Sequence, residues 1–328
     1  MGPESPRYTQ GVTTTSTFEA ARGITGIDTM MTGRAIVTSA YLVHATDPAL
    51  VETGPTTSIE AVTSGLASLG MSPDDLAHVV VTHIHLDHAG GLGRIAAAFP
   101  KATVWVHQRG APHMADPAKL VSSAARVYGE ERMVRMFGPV DPTPADRIRA
   151  VDEGDVIRFG DRSLEVMYTP GHASHHVSLV ESGSGAVFTG DALGVHLPDV
   201  RVLQPATPPP DIDVEAGVAS IERIRERADS LLLFSHFGPV TEVDELCEIA
   251  AARLQRWAAI VRDALDETED LDRNTELLRT RTADEFESMG KRRDDIDRFD
   301  ILADMRNNAA GLARYWQKRR ERETAAGG

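Results

Sequence analysis

The chain is short of cysteine, short of lysine and free of long apolar runs, and each shortage narrows what it can be. The single cysteine, Cys247, lies in an apolar stretch with helical spacing. No disulfide framework can form within one chain, so a reducing compartment is expected. No segment reaches the roughly 20 apolar residues that a membrane-spanning helix needs. The opening Met1-Gly2-Pro3-Glu4-Ser5-Pro6 lacks the basic-then-apolar pattern of a secretory signal. Together these absences predict a soluble, cytoplasmic protein with no membrane partner. Lysine occurs only at Lys101, Lys119, Lys291 and Lys318, and all 34 Lys and Arg face 49 Asp and Glu. The net charge of −15 repels phosphate backbones, so no nucleic-acid partner is expected.

What is present suits a globular protein. The 328 residues are 41% apolar, enough for one large domain with an appendage. Residues 1–16 are polar and read as a flexible arm. From 17 to 241 strand signals dominate, with helices between them. Strands are expected at Phe18 to Ile27, Ala35 to His44, Ala49 to Glu52, Val79 to Val81, Thr103 to His107, Ile148 to Val151 and Val156 to Phe159. Leu164 to Tyr168, His176 to Val180, Ala186 to Thr189 and Leu231 to Ser235 complete the set. Helices are expected at Ile59 to Leu69, capped by Ser58, at Leu92 to Phe99, across 117–137 and at Val214 to Arg227. Residues 242–328 read as a helical C-terminal extension, with apolar spacing over Val243 to Leu265 and Ile301 to Arg322. Strands in both halves with helices outside them imply two packed sheets covered by helices, an α/β sandwich.

One stretch carries the chemistry. Val79-Val80-Val81 runs into Thr82-His83-Ile84-His85-Leu86-Asp87-His88, and two glycines follow. Four metal-type ligands within six residues, mounted on the end of a buried strand, can turn toward one point. Neutral imidazole with carboxylate suits zinc, iron or manganese. Three further strands end in a ligand-type residue beside glycine. These are Gly171-His172 after Leu164 to Met167, Gly190-Asp191 after Val187 to Thr189, and His236 after Leu231 to Ser235.

These four motifs, in this order, make the chain resemble the metallo-β-lactamase superfamily. The resemblance covers roughly residues 20 to 240. It implies a four-layer αββα sandwich and a binuclear site. His83, His85 and His172 would hold one ion, and Asp87, His88 and His236 the other, with Asp191 bridging. The cofactors implied are two divalent metal ions, zinc first, with iron or manganese as alternatives. Such ions, about 3.5–4 Å apart, share a water and lower its pKa, and one polarises the substrate oxygen. Asp87 would orient the bridging hydroxide and act as the catalytic carboxylate.

Within that superfamily the compact motif and helical C-terminus look most similar to glyoxalase II and lactonase-like hydrolases. The expected activity is hydrolysis of a small ester-type carbonyl, a thioester or lactone. A phosphodiesterase and a mononuclear iron oxidoreductase like the persulfide dioxygenases are the alternatives, with a non-enzymatic binding protein behind them. Asp191 stands where common zinc β-lactamases carry cysteine. His85 stands where flavin-linked di-iron relatives carry glutamate. His196, in the loop beyond Asp191, is a candidate substrate contact. His176 is expected to support the site rather than ligate. The stiff Leu203 to Pro210 segment is expected to frame the pocket mouth. The expected partner is a small-molecule substrate, with the C-terminal helices as a candidate homo-oligomer contact. Lys291-Arg292-Arg293 is a loose basic cluster.

Overall fold

Short apolar segments, several of them buried at every residue, build two sheets whose inner faces meet. The computed structural model describes residues 16–199, 201–289, 301 and 304–326. Most of the expected N-terminal arm and all of Lys291-Arg292-Arg293 lie outside those residues. The first sheet comprises β1 (Thr17–Ala21), β2 (Ile24–Asp28), β3 (Ser39–Val43), β4 (Ala49–Val51), β5 (His78–Val80), β6 (Thr103–His107) and β7 (Ile148–Val151). These seven lie in chain order, antiparallel up to β4 and parallel from β4 to β7. The second sheet draws on β8 (Val156–Phe159), β9 (Arg162–Tyr168), β10 (Val177–Glu181), β11 (Val187–Gly190), β14 (Leu232–Phe234) and β15 (Gly238–Val240). Its order is β15-β14-β11-β10-β9-β8. A separate hairpin joins β12 (Val195–Leu197) to β13 (Val202–Gln204).

Between the sheets Tyr41, Val43, Val51 and Val80 of the first meet Val166, Val177, Phe188 and Leu233 of the second. The outer face of the first sheet packs on α1 (Ile59–Ser68) and α3 (Leu92–Ala98) through Val62, Leu66, Leu92 and Ile95. The outer face of the second packs on α7 (Val214–Arg227) and α8 (Val243–Glu267). This is the four-layer αββα sandwich. Beyond it, α9 (Leu271–Arg281) and α10 (Met305–Ala326) pack through Leu278, Ala309 and Leu312 into the same core. No helix among the described residues is long and apolar enough to cross a membrane.

Several expected elements are redrawn. Phe18 to Ile27 is a hairpin rather than one strand, because Gly23 at φ +75° makes the tight turn between β1 and β2. The expected strand from Ala35 starts only at Ser39. Before it, the buried Asp28 carboxylate accepts the backbone N–H groups of Met30 (3.0 Å) and Ile36 (2.8 Å), which holds that segment as a loop. Ser58 precedes α1 but makes no capping hydrogen bond, since a 3₁₀ turn at Thr56–Ser58 leads into the helix. After the short helix α4 (Ala111–Ala115), the stretch 117–137 divides at Gly129 into α5 (Ala118–Tyr128) and α6 (Glu130–Phe137).

The C-terminal helices are tied down by a buried polar knot. Trp257 of α8 is fully buried, and its indole N–H donates to Glu285 Oε2 at 2.9 Å. Arg256 donates to Glu285 Oε1 at 2.8 Å. Glu285→Ala leaves the indole N–H buried without an acceptor, which costs about 1–3 kcal/mol. Chemical denaturation followed by tryptophan fluorescence is expected to show a loss of that size with far-UV dichroism unchanged.

Candidate metal centre

Four strand ends deliver seven side chains to one edge of the sandwich. After β5 the chain turns through His83 and His85 into the short helix α2 (Leu86–Ala89), which carries Asp87 and His88. His172 follows β9, Asp191 follows β11 and His236 follows β14. Strands β11 and β14 are parallel with Gly190 opposite Phe234, so Asp191 and His236 leave the sheet near each other. Both β9 and β11 run antiparallel to β10, so their C-terminal ends share that edge. The sheets are pinned together here: Thr82 accepts the Val177 N–H at 2.8 Å, and the Tyr41 hydroxyl donates to the Phe234 carbonyl at 2.5 Å.

The seven form two groups. His85 Nδ1 lies 3.1 Å from His83 Nε2 and 2.8 Å from His172 Nε2. Asp191 Oδ2 closes that group, 3.5 Å from His172 Nε2 and 4.0 Å from His83 Nε2. In the second group His88 Nε2 lies 3.2 Å from His236 Nε2. Asp87 Oδ2 is 3.6 and 3.5 Å from those two nitrogens, and Asp191 Oδ1 is 3.2 and 3.3 Å from them. Each group is compact enough to hold one ion, and Asp191 offers one oxygen to each.

The outward nitrogens fix the tautomers. The His172 Nδ1–H donates to the Ala206 carbonyl (2.8 Å) and the His236 Nδ1–H to the Val37 carbonyl (3.1 Å). The Thr82 hydroxyl donates to Glu52 Oε1 at 2.5 Å, so it accepts the His83 Nδ1–H at 3.0 Å. Their Nε2 lone pairs therefore point inward, as a metal requires. Asp191 Oδ1 is buried and makes no well-aligned hydrogen bond. An acceptor aimed with imidazole lone pairs at one point, away from water, fits a cation.

Electrostatics agree. Burial holds His83 and His85 far below the usual imidazole range, and lowers His172, so all three are neutral. For His88 and His236 burial works the same way, but Asp191 and then the other nearby carboxylate groups outweigh it. His236 is raised to about 9 and His88 well above its ordinary value. Those protons sit where a cation belongs, and an ion bound there displaces them.

Three supporting residues surround the seven. His176 Nε2 accepts the Asp191 backbone N–H at 3.0 Å, and its Nδ1–H donates to Thr169 Oγ1 at 2.8 Å. Gly190 leaves room for that ring, since a Cβ there would come within 2.4 Å of His176 Nε2. Thr82 opens the ligand motif, whereas Glu52 is a site residue that lies outside all four motifs. Glu52, buried at φ +66°, also accepts the Ser235 hydroxyl (3.2 Å) and lies 3.5 Å from His88 Nδ1. Its signal was available: Val51-Glu52-Thr53-Gly54 is another apolar strand ending in an acid beside glycine.

The remaining expected contacts are placed as follows. His196 lies outside the two groups. Its backbone N–H donates to the His236 carbonyl at 2.6 Å, its ring packs 5.3 Å from Phe234, and its Nδ1 is buried without a hydrogen-bond partner. Pro208 and Pro209 line the cleft that reaches His85 and Asp87. Met133 and Met136 are core, and Phe137 serves both core and cleft.

An αββα sandwich with a paired His/Asp pocket at its strand ends defines a class of metal-centre protein. Sequence comparison makes the assignment specific. The chain belongs to the metallo-β-lactamase superfamily, whose sequence signature matches residues 33–236. It is 30% identical over 172 residues to the metallo-β-lactamase fold-containing protein ST1585 of Sulfurisphaera tokodaii, which is 51% of this chain and 63% of that one. The crystal structure of ST1585 aligns with a TM-score of 0.60 at 26% identity, covering 72% of this chain and 86% of that chain. A hydroxyacylglutathione hydrolase of Rhodopseudomonas palustris is 34% identical over 155 residues, 47% of each chain. The probable metallo-hydrolase YqjP of Bacillus subtilis is 25% identical over 246 residues, 69% of this chain and 75% of that one. The chain thus spans 63% of ST1585 and about half of the hydroxyacylglutathione hydrolase.

Because His176 holds the Asp191 backbone in place, His176→Ala is expected to weaken divalent-metal affinity about 10- to 100-fold. Competition against a chromophoric chelator measures it, with dichroism confirming an unchanged fold.

Proposed function

We propose that this protein is a binuclear metal-dependent hydrolase acting on a small ester-type carbonyl substrate, a thioester or lactone first. The observation that carries the reading is the pair of complete donor groups sharing one carboxylate, Asp191. His83, His85 and His172 would hold one ion, Asp87, His88 and His236 the other, and Asp191 would bridge. Zinc suits this nitrogen-rich set best, and iron or manganese would also be accepted. Membership of a superfamily with named hydrolases among the relatives supports the reaction class.

When bound, two such ions would acidify a shared water and polarise a substrate oxygen. The chain supplies the rest. Asp87 is the most open of the acidic pair, with 17% side-chain exposure against 6% for Asp191. It lines the cleft, where its carboxylate can accept a hydrogen bond from the attacking water and then take its proton. The Ala206 and Val37 carbonyls keep His172 and His236 in one tautomer, with Nε2 turned toward the donor groups. No side-chain nucleophile is required, and Cys247 is buried in α8.

The mononuclear iron reading would leave Asp87, His88 and His236 without a purpose as a group. A panel of thioesters, lactones, phosphodiesters and a cephalosporin, run on metal-quantified protein, tests the choice. Turnover of a thioester or lactone is expected. One iron per chain with oxygen consumption would overturn it. Asp87→Asn at saturating metal is expected to keep the fold and lower kcat about 100-fold or more. A kcat near that of the parent would refute the role given to Asp87.

A further inference from the structure

His85 and Asp87 open into a cleft roofed by α5 and α6. Its walls are mostly apolar: Leu120, Ala124 and Val127 of α5, Phe137 of α6, and Pro208 and Pro209 opposite. Leu120, Ala124, Val127 and Tyr128 recur at helical spacing, so one face of α5 meets the cleft. Outside the His/Asp group, the hydroxyls among the lining residues belong to Ser123 and Tyr128.

Tyr128 is clamped by its ring. Phe137 packs edge-on at 5.2 Å, and the Arg132 guanidinium lies 6.0 Å from the ring centroid. Arg132 is itself held by Asp304 at 2.9 Å. The hydroxyl, by contrast, has no hydrogen-bond partner among the described residues, and Tyr128 as a whole is half-buried. A phenol carries an O–H that can donate.

We propose that Tyr128 is a substrate-binding residue whose hydroxyl donates a hydrogen bond to the carbonyl oxygen of the substrate seated against His85 and Asp87. The class of substrate rests on the hydrolase reading above; the donor role does not. In an apolar cleft such a donor favours the oxygen most as negative charge develops on it, so its loss falls on kcat more than on KM.

The test is Tyr128→Phe in the zinc-loaded full chain, with acetohydroxamate as a probe that presents a carbonyl oxygen without being hydrolysed. Zinc content is expected to stay at the parent level, and the Kd for acetohydroxamate by calorimetry to rise about tenfold. On any ester turned over by the parent, kcat/KM is expected to fall about 10- to 100-fold, with the larger share of the loss in kcat. An unchanged Kd overturns the proposal, as does loss of zinc, which would make Tyr128 a structural residue. If the parent hydrolyses nothing in the panel while Tyr128→Phe still weakens acetohydroxamate, the hydrolase reading fails and the donor role stands.

Discussion

Asp191 is a buried carboxylate faced by imidazole lone pairs from both sides, and such groups repel when nothing positive lies between them. Gathering them out of water is unfavourable unless charge compensates. In the metal-free chain the compensation comes from protons on His88 and His236, drawn there chiefly by Asp191. Everything else near the site can be read as a frame that resists this repulsion and keeps the donors aimed inward.

The frame has layers of support. Strand ends set the backbone positions, because parallel β11 and β14 place Asp191 and His236 in fixed register. Around them, two carbonyls and a hydroxyl hold His172, His236 and His83 by their outer nitrogens, and Glu52 gathers Thr82 and Ser235 beside His88. The C-terminal helix joins in at one remove. Asn308 of α10 accepts the Thr207 N–H at 2.6 Å, one residue from the Ala206 carbonyl that orients His172. Gly311 sits against that same loop, where a Cβ would collide with the Thr207 carbonyl. The extension is thus joined by hydrogen bonds to the loop that orients His172.

Much of this was legible in the order of residues, for physical reasons. Strands such as Thr103–His107 and Val156–Phe159 are apolar or alternating segments bounded by turn residues, and they appear as expected. The four ligand motifs were legible because each combines a buried strand with a donor and a glycine. Other features depend on what lies across space. The polar α9 buries only Asn274, Thr275 and Leu278, so no apolar stripe marks it. The β12–β13 hairpin is short and interrupted by proline and charge. Glu52 gains its role only because β4 pairs in parallel with β5 and brings it beside Thr82. Nothing local to α5 says that Tyr128, rather than another residue of that helix, faces Asp87.

The central claim is that two ions share Asp191. Anomalous diffraction from a crystal of the zinc-loaded protein, measured at the zinc edge, tests it most directly. The account predicts two peaks, one among His83, His85 and His172 and one among Asp87, His88 and His236, with Asp191 between them. A single peak at full metal occupancy, with the other donor group hydrogen-bonded to water, would contradict it.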